Sequence, residues 1–302
     1  MPTTEQTLEL DAPAKINLYL RVTGRRADGY HYLATLMQKI SLFDRVLLRR
    51  IDSGIRVHCP DSSLPEDEGN LVYRAACLFL QTMAPRLYGS LGVEVTLKKN
   101  IPLAAGLGGG SSDAAAVLVG MDQLFATGCS EAELLTMGSR LGADVPLFIV
   151  DWPAAWATGI GDRLRPAVPL AGYRVVLVNP GFSVETGWVY ENFALTAVGK
   201  KINLKNFDDQ QADDAGCPFI RRAIRPGELV NELEAVTAGK FQEIYSLRQR
   251  LLKGGAVAAM MTGSGPSVFG LFTGQEEEKA VACGRELSRE FPKTFLVSPL
   301  TS

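Results

Sequence analysis

Histidine is nearly missing from this 302-residue sequence: there are two, His31 and His58, far apart along the chain. That leaves little room for a zinc site. Cysteine is sparse too. Cys59, Cys77, Cys129, Cys217 and Cys283 are scattered and form no C-x-x-C pair, so no thiolate cluster is expected. An odd, dispersed set reads as reduced thiols, and the expected localisation is cytoplasmic. Neither sign of charge dominates, since 31 basic and 33 acidic side chains give a formal net charge of −2. Nucleic-acid binding through bulk positive charge is thereby excluded as an expectation. No apolar run approaches the ~20 residues that span a bilayer, so no membrane partner is expected either. The first fifteen residues carry acids and no apolar stretch, and no signal peptide is read there.

Glycine is what the chain has in excess. Thirty residues are glycine, above the usual ~7%. Ten of them fall in two short stretches: Gly106, Gly108, Gly109 and Gly110, then Gly254, Gly255, Gly263, Gly265, Gly270 and Gly274. Around them the patterning is mixed. Ile16, Leu18, Leu20 and Val22 alternate with Lys15, Asn17, Tyr19 and Arg21, which predicts a strand with one buried face and with Lys15 and Asn17 on its polar face. The apolar stretch 34–48 predicts further strand, and Leu71, Ala75, Leu78 and Phe79 predict a helix that Asn70 can cap. Val93, Val95 and Leu97 alternate again. Ser130 with Glu133 forms a capping box for a helix that Gly142 ends, and the run 145–150 reads as a buried strand. A change of texture at 151–172 suggests a domain boundary, so residues 1–162 and 163–302 are expected as two domains. Residues 199–228 are polar and turn-rich and read as a solvated insertion. Strands and helices mix without a βαβ rhythm, and the fold class is α+β.

The segment PLAAGLGGGSSDAAAVL, residues 102–118, has the chemistry of a phosphate cradle. Close approach of several backbone N–H groups to an anion needs small residues, and the apolar helix that follows would aim its positive dipole end at the anion. It is neither a P-loop, for want of the lysine, nor a dinucleotide fingerprint. This PxxxGLGGGSSDAA pattern resembles the second motif of the GHMP kinase superfamily of small-molecule kinases. APAKINLYL resembles the first motif, and MTGSGPSVFGLF, residues 261–272, the third. The three occur in order and span most of the chain.

The resemblance implies a two-domain fold: an N-terminal domain like the second domain of a small-subunit ribosomal protein, and a ferredoxin-like C-terminal domain. It implies ATP as co-substrate, and Mg2+ is expected with the phosphates, with no acidic cluster to identify its ligands. Taken with GRRADGYH and GADVP, it is similar to the members that phosphorylate the tertiary 2-hydroxyl of a cytidine-diphosphate-linked branched tetritol on the non-mevalonate route to isoprenoids. By that resemblance Asp144 is the general base, and Lys15 keeps it ionised and stabilises the developing alkoxide. Asn17 binds substrate, His31 reads the cytosine edge, Tyr30 and Tyr190 stack on the base, and Thr186 reaches the diphosphate. Pro102, Gly106, Gly108, Gly109, Gly110, Ser111 and Ser112 surround the ATP phosphates. Asn70 and Lys99 are adenine candidates, though a helix cap and a strand-end surface lysine explain them equally well. The expected partners are small molecules, with the chain a monomer or weak homodimer. Two alternatives stay open: another small-molecule kinase of the superfamily, acting on mevalonate, homoserine or galactose, and a module that binds ATP without catalysis.

Overall fold

In a computed structural model, the structure describes residues 7–60, 62–86, 92–197 and 217–302. The chain divides into two compact units that do not follow one another along the sequence. The first comprises residues 1–14, 42–101 and 108–151; the second comprises 15–41, 102–107 and 152–302. The glycine loop is divided between them: residues 102–107 belong to the second unit and 108–112 to the first. The two longest strands, β1 (Thr7–Arg25) and β2 (His31–Ile51), each run from one unit into the other.

In the first unit, residues 45–51 of β2 pair antiparallel with β4 (Gly92–Lys98), and β4 pairs in parallel with β3 (Gly54–His58). A parallel neighbour needs a crossover, and α1 (Leu71–Met83) lies in that connection. Its start is the one expected: the Asn70 side chain accepts a hydrogen bond from the Val72 N–H. Helix α3 (Glu131–Leu141) begins at the Ser130–Glu133 capping box and ends at Gly142. Helix α2 (Gly109–Phe125) supplies Val117, Leu118 and Met121 to a core shared with Val46, Leu48, Val95, Leu97 and Phe79.

The expected strand at 145–150 is instead α4 (Val145–Ile149). An apolar run this short fits both periods, and Pro146 decides between them. Its fixed φ and missing N–H suit the first turn of a helix and would leave a gap in a sheet ladder.

In the second unit, β7 (Tyr173–Val178), β9 (Ala258–Met261), β10 (Val268–Thr273) and β11 (Thr294–Val297) form an antiparallel sheet in the order β11-β7-β10-β9. Leu247 and Leu251 from α6 (Gln242–Lys253) and Ala280, Cys283 and Leu287 from α7 (Glu277–Ser288) pack with Val176, Val178, Val268 and Phe272. Leu20 and Val22 of β1 join this core. Residues 35–38 of β2 pair with β5 (Ala154–Thr158), which pairs with β6 (Arg163–Pro166), and Tyr19 and Leu20 pair in parallel with β8 (Val230–Asn231). Mixed sheet and helix in both units make this an α+β protein.

Two further expectations need correction. Strand β1 does not have one buried face over 14–18, because all five residues are buried and Lys15 and Asn17 are 4% and 3% exposed. The 199–228 segment is not all solvated: Phe219 and Ile224 are buried, and the Phe219 ring lies against Tyr19 and Trp156. Residues 199–216 of that segment lie outside those described.

Candidate active site

The first unit presents the N-terminus of α2. Gly108 occupies the cap position at φ 71°, a left-handed conformation that glycine adopts without strain, and no side chain caps the helix. The Ser112 N–H already donates to Gly108 O at 2.9 Å, while the N–H groups ahead of it have no intrahelical partner. No acid lies in the first turn. Gly109 packs so closely that a Cβ there would stand 3.0 Å from Ile101, whereas Gly110 opens outward with nothing within 4 Å. Ser111 is half-buried. Ser112 is buried and its Oγ has no hydrogen-bond partner. An uncapped, acid-free helix end with an orphaned hydroxyl suits the phosphates of a nucleotide.

Beneath this turn Lys99 bridges two carboxylates. Its Nζ donates to Asp113 Oδ2 at 2.6 Å and to Asp44 Oδ2. Asp44 also accepts from the N–H groups of Asn100 and Ile101. Asp113 receives its Oδ2 hydrogen bond from Lys99 and also interacts with the Asp44 carboxylate, while its Oδ1 is buried without a partner. Burial chiefly, with the Asp44 carboxylate adding to it and Lys99 opposing, pushes the Asp113 carboxyl up to about 7. Lys99 is therefore no surface lysine. Asn70 is equally committed: its Oδ1 caps α1, and its Nδ2 donates to Pro65 O at 2.8 Å and to Cys59 Sγ. Asp144 stands at the cap position of α4, half-buried, and its carboxylate does not cap that helix.

The second unit carries the remaining residues. Lys15 Nζ donates to Asn17 Oδ1 at 2.7 Å, Asn17 Nδ2 donates to Thr35 Oγ1 at 2.8 Å, and Asn17 N–H donates to Thr262 Oγ1 at 2.9 Å. The Lys15 N–H holds Leu107 O at 2.9 Å, which ties β1 to the start of the glycine loop. Pro102 is buried at the head of that loop. Gly106, at φ +74°, lies against the third motif: a Cβ there would collide with Thr262 O and come within 3.1 Å of Gly265 O.

The His31 and Tyr190 rings stack, with centroids 5.3 Å apart and planes at 22°. Burial, with a smaller contribution from Arg25, holds the His31 imidazole below its ordinary pKa. At neutral pH it therefore offers one donor and one acceptor. Thr186 and Tyr190 sit one turn apart on α5 (Thr186–Ala197), and Thr186 Oγ1 lies 2.9 Å from Ser264 Oγ. Tyr30 is 63% exposed and outside the stacked pair. Thr35 and Ser264 were not singled out from sequence. The signal for Thr35 was parity, because residues 31 and 35 share a face of one strand; the signal for Ser264 was its place inside the third motif.

Comparison with known proteins decides the family. Residues 70–151 match the GHMP kinases N terminal domain, and residues 220–293 match the GHMP kinases C terminal domain. The 4-diphosphocytidyl-2-C-methyl-D-erythritol kinase of Syntrophotalea carbinolica is 43% identical over 96% of this chain and 98% of its own length. This chain belongs to the GHMP kinases. It is accordingly a kinase, with ATP as co-substrate. A crystal structure of 4-(cytidine 5'-diphospho)-2C-methyl-D-erythritol kinase matches with a TM-score of 0.75 at 33% identity, covering 97% of this chain and 99% of that one. A homoserine kinase from Cytophaga hutchinsonii matches with a TM-score of 0.66 at 19% identity, which shows the GHMP kinase fold and nothing finer. Among the described residues, no group of three or more metal-binding side chains converges, and no helix is long and apolar enough to cross a membrane.

Proposed function

We propose that this GHMP kinase transfers the γ-phosphoryl group of ATP to the 2-hydroxyl of 4-(cytidine 5'-diphospho)-2-C-methyl-D-erythritol, in the non-mevalonate isoprenoid route. The observation that carries the reading is the 43% identity, over nearly its whole length, to a relative bearing that name. The His31–Tyr190 pair supports it from the chain's own chemistry. A neutral imidazole matches the mixed donor and acceptor edge of cytosine, and the aromatic faces of Tyr190 and the exposed Tyr30 suit a base. Thr186 and Asn17 complete the substrate side, with Thr186 directed to the diphosphate.

Phosphoryl transfer asks the protein mainly for positioning and charge stabilisation. Gly106, Gly108, Gly109, Gly110, Ser111 and Ser112 hold the ATP phosphates through backbone N–H groups and hydroxyls, and Pro102, which has no N–H to offer, shapes the head of their loop. Mg2+ would neutralise phosphate charge, and Ser112 with its unpartnered hydroxyl is the side chain suited to reach it or the phosphates. Asp144 takes the proton from the 2-hydroxyl as general base, and Lys15 stabilises the negative charge that develops on the oxygen. Asn70 and Lys99, committed to a cap and to two carboxylates, support the nucleotide side by fixing α1 and α2. The chain works in the cytoplasm on small molecules, as a monomer or weak homodimer. Its five cysteines, all free, accord with a reducing compartment.

The test is ADP release against a panel of this nucleotide, mevalonate, homoserine and galactose. Turnover with the nucleotide alone is expected; turnover only with one of the others overturns the substrate. Asp144→Ala should lose at least about 100-fold in kcat with ATP affinity little changed, and a variant with near-full kcat would remove the base assignment. His31→Ala should weaken the nucleotide substrate far more than ATP.

A further inference from the structure

The buried polar chain around Asn17 has a direction, and that direction leads to Lys15. Thr35 Oγ1 donates to the carbonyl oxygen of Tyr19 at 2.7 Å. A carbonyl only accepts, so the single Thr35 hydroxyl proton is used there, and what remains toward Asn17 is a lone pair. Only an N–H can answer a lone pair. Asn17 must therefore turn Nδ2 to Thr35, at 2.8 Å, and this leaves Oδ1 facing Lys15 Nζ at 2.7 Å. The reverse amide orientation would set an NH2 group against the ammonium and an oxygen against the hydroxyl oxygen. Both are repulsive, and neither is relieved by water in a place where Lys15, Asn17 and Thr35 are all buried.

Thr262 braces the same residue from the third motif. Its Oγ1 accepts from the Asn17 N–H at 2.9 Å, and its own proton lies toward Asn17 Oδ1 at 3.4 Å or Gly106 O at 3.5 Å.

We propose that Thr35 is a positioning residue for phosphoryl transfer, setting the orientation of the Asn17 amide and through it the Lys15 ammonium, with Thr262 as a second brace. Asn17 in this reading serves Lys15 as much as substrate. The inference rests on the role given above to Lys15, and it makes β2 a strand with two jobs: His31 faces the nucleotide base, and Thr35, two same-face positions along, governs the ammonium.

The experiment measures kcat, both KM values and thermal stability for Thr35→Val, Thr35→Ala and Thr35→Ser, with Lys15→Ala alongside. Alanine leaves room for a water where valine does not, so a folded hydroxyl-free variant is obtained from at least one of them. Loss of the hydroxyl should lower kcat about tenfold or more while both KM values stay within about threefold, because misplacement of a charge that acts in the transition state is felt there. Serine keeps the donor and acceptor and should recover most of kcat. A hydroxyl-free variant with kcat within twofold of wild type overturns the proposal, as does a serine variant no better than valine, or a loss carried by KM alone. Should Lys15→Ala itself retain full kcat, the role of Lys15 fails first; an inactive Lys15→Ala with a normal Thr35→Val defeats the inference about Thr35 only.

Discussion

At the residue scale, the least comfortable group in the molecule is Asp113. Two carboxylates share the single ammonium of Lys99 in a buried place, and an ionised pair would leave a net negative charge beneath the helix end proposed to hold phosphate. The carboxyl with fewer donors, Asp113, keeps a proton up to about pH 7. Its pKa is raised on folding, so between about 4 and 7 the native state binds more protons than the unfolded chain. Stability from this group is thus fully present below its unfolded pKa and is lost as pH rises through about 7. Lys99, Asp44 and the Cys59 thiol are the other titratable groups that interact with it. Melting curves should show a smaller fall in Tm from pH 5.5 to pH 8.5 for Asp113→Asn than for the native chain. Equal falls would mean Asp113 is ionised throughout. None of this was legible in the sequence. Asp113 sits in the motif as one more polar residue, and its partners lie 14 and 69 positions away at Lys99 and Asp44. Lys15 is the same lesson: alternation puts it on a polar face, but alternation is silent about what packs on that face.

At the element scale, local signals worked where the physics is local. The Asn70 cap, the Ser130–Glu133 box and the strand at 173–178 each follow from a few adjacent residues, and each is present. The glycine loop was legible as a loop, while the reason for its first glycine was not. Gly106 is required by the neighbouring third motif more than by any ligand, since positive φ and the Thr262 carbonyl both forbid a side chain. Gly106→Ala should cost about 2 kcal/mol or more and lower Tm by several degrees. Gly110→Ala, which meets nothing within 4 Å and has no left-handed backbone, should leave Tm unchanged or slightly raised. Equal stability of the two variants would contradict the packing role. The helix found where a strand is expected at 145–150 marks the limit of periodicity: six apolar residues carry too little phase to choose a period, and only Pro146 holds the answer.

At the scale of the whole molecule, a boundary in chain texture is not a boundary in contacts. The last long segment of the second unit begins at Trp152. Yet that unit also takes residues 15–41 and 102–107 from earlier in the chain. A fragment comprising 1–162 would therefore carry Leu20 and Val22 without Val176, Val178 or Leu251, which share their core in the intact chain. Expressed alone, it should bind a hydrophobic dye strongly and unfold without a cooperative transition. A sharp melt for 1–162 would show that the early segments fold without the later ones.

The hydrogen bonds that close the second unit also set a clock. Asn17 meets Thr262 across 245 residues, and Gln38, buried with its amide nitrogen shared among the carbonyls of Lys39, Pro153 and Leu300, waits across 262. At a synthesis rate of ~5–20 residues per second, roughly 12 to 50 seconds separate the emergence of Asn17 from that of its partner. Through that interval the strand that carries Lys15 is outside the ribosome without its long-range partners, its polar groups served by water. It is among the first parts of the protein to be made and among the last to be finished, and during synthesis it is the segment that a holding chaperone would have most reason to grip.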